Sequence, residues 1–330
     1  MAKALITGIS GQDGSYLAGQ LIDRGYEVHG LVRRCASRSL WRLDVLAAEL
    51  AYQHKVMTIH DGDITDQACV SRIIADVRPD EIYNLAAHSF VGDSWNVPEY
   101  VAQVTGLGIV RICEAVRSAN MTHSCRILQA SSSEMFGSSP PPQNELTAFH
   151  PRSPYGCAKV YAHHAAAVYR ESYGMFVSCA VCFNHESPRR GDEFVTQAIC
   201  RQGVEIKRGQ RKAFSLGNMD AVRDWGAAWD YTHAMWLMLQ ATAPDDYVVA
   251  TGVGHTVREF VTAVSDALQI PEVIEVDPLK YRPADVNILI GDATKARVKL
   301  QWSPATTFEQ LVGMMVRAAA IRAAIDTEPK

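Results

Sequence analysis

The chain has 330 residues, 48% of them hydrophobic and 21% charged, enough to bury a large core in one big domain or two closely joined ones. A formal charge of -4 and a pI near 6.3 exclude a general attraction to nucleic acid or to an anionic membrane, so the expected partner is a small molecule. No apolar run reaches membrane-spanning length, and residues 1–7 lead directly into a glycine loop with no room for a signal peptide, which points to the cytoplasm.

Residues 3–7, 27–32, 56–60, 81–85, 126–130 and 176–183 read as short apolar strands, most of them separated by helical stretches. That alternation calls for an α/β fold, a doubly wound parallel sheet of the Rossmann type covered on both faces. The Pro-rich stretch 138–143 reads as a surface loop. After residue 184 the pattern weakens. Helical segments are expected at 194–208 and 220–240, a loop at 282–285, and a closing amphipathic helix at 307–325. Residues 1–183 are therefore assigned to a nucleotide-binding domain, with roughly 222–250 returning to it, and 184–330 mainly to a smaller α/β substrate domain.

Gly8-Ile-Ser-Gly11-Gln12-Asp13-Gly14 follows the first strand and opens the first helix, where free backbone amides can receive a pyrophosphate. Its G-x-x-G-x-x-G spacing is that of short-chain dehydrogenases. At the end of the second strand, Arg33 and Arg34 stand where an acidic residue would grip a ribose 2′-hydroxyl. Two guanidinium groups suit a 2′-phosphate, hence NADP, although solvated loop charges or a subunit contact would use them equally. Asp63 and Ile64 are placed to meet the adenine, and Leu85, Ala86 and Ala87 to line the nicotinamide channel.

Ser131-Ser132-Ser133-Glu134 follows the fifth strand, and Tyr155 and Lys159 lie four apart. On a helix they share one face, so the ammonium can favour phenolate and fit Tyr155 as a base. The eight cysteines show no metal-ligand spacing. Cys179 and Cys182 match C-x-x-C, but a strand puts them on opposite faces, so core thiols are preferred to a redox pair. His163 and His164 suit helix packing, and Trp225, Trp229 and Trp236 have the spacing of a buried helix face.

With these residues assembled, the chain resembles the extended short-chain dehydrogenase/reductase superfamily and, within it, the GDP-mannose 4,6-dehydratase family. The most specific stretches are 7–16, 183–191, 217–226 and 282–291. The resemblance implies bound NADP, a GDP-hexose substrate, a homodimer or homotetramer, and a loop 33–39 near a neighbouring subunit's cofactor. It also implies a cycle of C4 oxidation, loss of water across C5 and C6, and hydride return to C6. Tyr155 would take the C4 hydroxyl proton with Lys159 beside it, Ser132 would hold the C4 oxygen, and Glu134 would move the C5 proton to the departing C6 oxygen. Arg223 and Arg282 suit the GDP pyrophosphate, Asn184 a sugar or phosphate oxygen, and Asp285 the guanine or ribose; Ser89 and Arg190 complete the substrate set.

Four positions depart from the family pattern. Ser132 replaces a threonine, His88 a glutamine, Gln197-Ala198 a basic pair, and Asp285 a glutamate. They leave room for a related GDP-sugar such as a heptose. An epimerase or 4-ketoreductase on the same scaffold, and a non-catalytic NADP-sensing protein, are the competing readings.

Overall fold

A computed structural model describes residues 1–33, 40–52, 57–281 and 284–325; the expectations for Arg34 and Arg282 lie outside them. The strands, in chain order, are β1 Lys3–Thr7, β2 Glu27–Val32, β3 Thr58–Asp61, β4 Glu81–Asn84, β5 Arg126–Ser132, β6 Phe176–Cys182, β7 Asn184–Glu186, β8 Phe214–Leu216, β9 Val222–Ala227, β10 Asp246–Val249, β11 Gly254–Thr256, β12 Ile274–Val276 and β13 Ile288–Leu289. The helices are α1 Gln12–Asp23, α2 Trp41–Tyr52, α3 Gln67–Val77, α4 Pro98–Val101, α5 Gly108–Ser118, α6 Pro154–Tyr173, α7 Val195–Lys207, α8 Ala228–Gln240, α9 Val257–Leu268, α10 Thr294–Leu300 and α11 Phe308–Ile325.

Seven strands form the large sheet in the order β10-β6-β5-β4-β1-β2-β3, all parallel. One core packs α1 and α8 on one face, around Leu17, Leu21, Ala234 and Met238. A second packs α3, α5 and α6 on the other, around Ile74, Ile112 and Ala162. This is the doubly wound arrangement expected. Its strand order reverses between β1 and β4, so the carboxyl ends of those strands open a crevice. A buried chain of side chains fixes that edge: the Thr7 hydroxyl donates to Asn84 Oδ1 (2.7 Å), and Asn84 Nδ2 to Gln129 Oε1 (2.6 Å). Thr7 Oγ1 in turn accepts from the Ala86 amide (3.2 Å), which seats the segment after β4.

The smaller part has its own core of α7, α9, α11, β8 and β9 around Phe214, Trp225, Phe260 and Met315. Residues 222–227 are a strand, correcting the helix expected over 220–240. There β9 pairs with β7, β11 and β13, and ladder bonds to three neighbours outweigh a local helical pattern. Trp225 is consequently buried in a sheet, edge-on to Phe260 at 5.2 Å, rather than sharing a helix face with Trp229 and Trp236. The 138–143 loop is also half anchored: Pro141 and Pro142 are exposed, but Gln143 is fully buried and bonds the backbone of Ile290 and Asp292. Among the described residues no helix is long and apolar enough to cross a membrane.

Candidate active site

A cleft of about 1090 Å³ lies over the carboxyl ends of β1, β4, β5 and β6 and is roofed by the smaller part. Every candidate site residue among the described ones lines it: Gly8, Gly11, Gln12, Asp13, Gly14, Arg33, Asp63, Ile64, Leu85, Ala86 and Ala87 at one end, Ser132, Glu134, Tyr155 and Lys159 in the middle, and Ser89, Asn184, Arg190, Arg223 and Asp285 towards the other parts.

The glycine loop fits a dinucleotide. Gly8 has φ +73°, and a Cβ there would stand 2.9 Å from the Ala86 amide nitrogen; a Cβ on Gly14 would meet the Gly8 carbonyl at 2.4 Å. These two glycines let the loop close on itself and on the segment after β4. Gly11, the N-cap of α1, has no side chain to cap the first-turn amides, which leaves them for an anion in the cleft. Arg33 lies at the end of β2, its guanidinium hydrogen-bonded to the Tyr100 hydroxyl. Asp63 caps its own turn, accepting from the Thr65 amide and hydroxyl at 2.8 and 2.7 Å.

Two local devices set the central groups. Ser153 N-caps α6, accepting from the Gly156 amide (3.0 Å), with Pro154 in the first turn, so Tyr155 and Lys159 fall on one helical face. Gly156 is needed because a Cβ would come within 2.8 Å of the Glu134 carbonyl; the helix thereby presses against the end of β5, where Ser132 Oγ accepts from the Glu134 amide (3.2 Å). Burial pushes the Tyr155 phenol well above its ordinary range, the Ser132 hydroxyl acts to lower it, and the Glu134 carboxylate raises it further. Lys159, expected to favour phenolate, is not among the main influences on the phenol. Lys159 Nζ instead donates to the Ala130 carbonyl (2.6 Å) and stands 5.7 Å from the Tyr155 ring centre. Burial has drawn the ammonium itself down to about 8.

On the substrate side, Asn184 Oδ1 is buried without a hydrogen-bond partner. Arg190 stacks on Phe194 at 3.5 Å, with Nε 3.0 Å from the buried Glu186 carboxylate. Arg223 is buried, donating to the Val222 carbonyl at 2.9 Å, and lies 3.7 Å from Asp285; Asp285 also accepts from Asn218 (3.1 Å). Asp13 had been grouped with the cofactor loop. Its carboxylate is committed to His185 Nε2 at 2.8 Å.

Sequence reasoning missed Arg42 and Tyr100, which line the same cleft from segments without a motif, and Glu186, which lies inside the 183–191 stretch but received no role. His88, noted as a departure, lies there too, paired with Asp93 at 2.9 Å. Cys179 and Cys182 are free and buried, and burial raises both thiols, against a redox role.

A family model described as GDP-mannose 4,6 dehydratase matches residues 5–315. GDP-mannose 4,6 dehydratase 2 of Arabidopsis thaliana is 49% identical over 318 residues, covering 95% of this chain and 85% of that protein. The Homo sapiens GDP-mannose 4,6 dehydratase is 47% identical, covering 96% and 90%. Among solved structures, the Thermus thermophilus UDP-glucose 4-epimerase complex with NAD superposes with a TM-score of 0.82 at 25% identity, over 96% of this chain and 98% of that one. A hydroxyl, a carboxylate and a phenol gathered at the mouth of a dinucleotide crevice, in a chain matched nearly end to end at close to half identity, leave no other assignment: the chain belongs to the GDP-mannose 4,6-dehydratase family of the extended short-chain dehydrogenase/reductases.

Proposed function

We propose that the protein dehydrates GDP-D-mannose to GDP-4-dehydro-6-deoxy-D-mannose with NADP as its cofactor. Family membership supports the reaction. The observation that carries it to particular residues is the Ser132 hydrogen bond to Tyr155, with the Glu134 carboxylate near enough to act on the phenol, on one wall of the cleft.

When bound, the nicotinamide supplies a hydride acceptor at the start of the cycle and gives hydride back at its end. The chain's own groups handle the protons. Tyr155 takes the proton of the C4 hydroxyl, and Ser132 donates to the C4 oxygen as negative charge gathers on it. A ketone at C4 acidifies the C5 hydrogen. Glu134 removes that proton and delivers it to the C6 oxygen, which departs as water, and the proton held by Tyr155 goes back to C5 as hydride returns to C6. Asn184 Oδ1 is an acceptor with no protein donor, so it suits a sugar hydroxyl. Arg190 and Arg223 face the cleft with charge opposite to a pyrophosphate. Arg33 at the end of β2, where an acidic side chain would select NAD, supports NADP. Segment 1–183, joined by α8 and β10, forms the cofactor half in this reading, and the remainder mainly the sugar-nucleotide half. A cytoplasmic dimer or tetramer completes it.

Incubation with GDP-mannose tests the proposal. The product is expected to be lighter by one water with no net consumption of nicotinamide, and deuterium placed at C4 is expected at C6 of the same molecule. Unchanged mass, or stoichiometric use of NADPH, would overturn it in favour of an epimerase or ketoreductase. Nucleotide released on denaturation is expected to be NADP, and NAD would reject that part.

A further inference from the structure

The segment that carries Asn184 and Arg190 into the cleft is tied to the first helix of the cofactor half by a buried polar network. Gln12 Nε2 donates to the His185 carbonyl (3.0 Å), the Ser187 hydroxyl to Gln12 Oε1 (2.7 Å), and Arg189 to Ser15 Oγ (3.3 Å). At its centre His185 reaches two acceptors at once: Nδ1 stands 2.7 Å from the Phe183 carbonyl and Nε2 2.8 Å from Asp13 Oδ2. A carbonyl can only accept, so Nδ1 carries a proton. A neutral ring would then turn a bare Nε2 lone pair toward the carboxylate, and the geometry calls for imidazolium against carboxylate. Tyr231 stacks on the ring at 4.7 Å and 24°, closing the side away from α1.

Strand parity makes this contact relevant to the substrate. In β7 successive side chains alternate: His185 turns to Asp13 of α1, whereas Asn184 and Glu186 turn the other way, Glu186 to Arg190 and Thr196, and all three residues line the cleft. Holding His185 therefore sets the register of both neighbours.

We propose that Asp13 and His185 are a positioning pair, a half-buried ion pair through which the cofactor loop sets Asn184 and Arg190 against the sugar nucleotide. It touches neither the reacting carbons nor their protons, so its loss is read mainly in substrate binding. Removing one partner leaves the other charge unpaired in a half-buried place and lets the strand shift, and a displacement of about 1 Å at a binding group can cost on the order of 10²-fold.

The groups facing the pair are Arg190 from the segment after β7, Gln12 from α1, Lys159 from α6, Cys182 from β6 and Tyr231 from α8. Burial opposes the charge on both partners, yet each holds the other ionised: Asp13 lies below and His185 above its ordinary range. The pair is thus lost as pH rises through the His185 value, above the ordinary 6.5. Lys159, at about 8, titrates nearby and is common to wild type and variant, so the difference between their profiles reports the pair.

The proposal rests on the dehydratase reading, and the experiment separates the two. Wild type, His185→Gln and Asp13→Asn, each loaded with cofactor, are compared by steady-state kinetics with GDP-mannose from pH 6 to about 9 and by calorimetric titration with GDP. Gln keeps a donor near the Nε2 position without charge, and Asn keeps the shape of the carboxylate, so both preserve the packing. Expected are a KM for GDP-mannose and a Kd for GDP raised about tenfold or more in each, kcat of His185→Gln within about threefold, and loss of the wild-type rise in KM at high pH. Unchanged KM and Kd in folded variants, or a fall confined to kcat, overturns the positioning pair. Wild type that binds GDP but releases no water from GDP-mannose overturns the dehydratase reading instead.

Discussion

Lys159 is the group whose service to the reaction is most visibly opposed to stability. Its side chain is buried and its ammonium is drawn from 10.5 to about 8, burial being the main cause. At about 1.4 kcal/mol per factor of ten in proton affinity, the charged form costs the fold roughly 3 kcal/mol at pH 7. Replacing it by methionine removes the charge and keeps the stem. The hydrogen bond from Nζ to the Ala130 carbonyl is lost, at about 1 kcal/mol, but that carbonyl retains Gln129 Nε2 at 2.9 Å and is not orphaned. Lys159→Met should therefore be more stable than wild type by about 2 kcal/mol at pH 7 while its dehydratase rate falls by orders of magnitude. The sign follows from the depressed folded-state value. Wild type carries the full cost below about 8, gains relative to the variant as pH rises through 8 towards 10.5, and bears no cost above that. Urea unfolding of nucleotide-free protein at pH 7 and at pH 10 measures both points, the variant serving as control for other groups that ionise. A wild type more stable than Lys159→Met at pH 7, or a difference independent of pH, would refute the argument that burial of this charge dominates.

Glu134→Gln keeps the shape of the acid and removes its base: water loss should fall by about 10² to 10⁴ while substrate-driven reduction of bound nicotinamide persists, read by absorbance and by product mass. Survival of water loss would mean that another residue takes the C5 proton. Ser132→Ala deletes a donor to the C4 oxygen and should lower kcat by about 10² to 10³ with KM little changed; a change in KM alone would make Ser132 a binding group only. Gly8→Ala combines left-handed backbone with a Cβ 2.9 Å from the Ala86 nitrogen, whereas Gly25→Ala, at φ +81°, meets nothing within 4 Å. The second should cost about 1–2 kcal/mol and leave nucleotide affinity intact; the first should cost more and weaken NADP binding, as titration with the nucleotide will show. Equal losses at both sites would remove the case for close approach.

What the sequence made legible was what chain neighbours decide. A glycine loop between a strand and a helix, a helix with Tyr155 and Lys159 on one face, and a hydroxyl–acid run at a strand end each need fewer than a dozen residues to specify them, and each lies in the structure where its pattern implied. Contacts between distant segments were hidden. Nothing near Asp13 announces that its carboxylate is matched by a ring 172 positions away, and nothing near Arg42 announces that its guanidinium reaches the Arg189 carbonyl at 2.6 Å. The strand at 222–227 was misread for the same reason, since its extended form is imposed by three partners that lie far off in the chain.

At the Tyr155 phenol, burial competes with what the motif's spacing implies. Spacing put the lysine on the same helical face, and from that alone an acidified phenol followed. Burial, however, acts on both groups at once: it raises the phenol and lowers the ammonium, so the two drift apart from the states in which they would help one another, and the adjacent Glu134 pushes the phenol further.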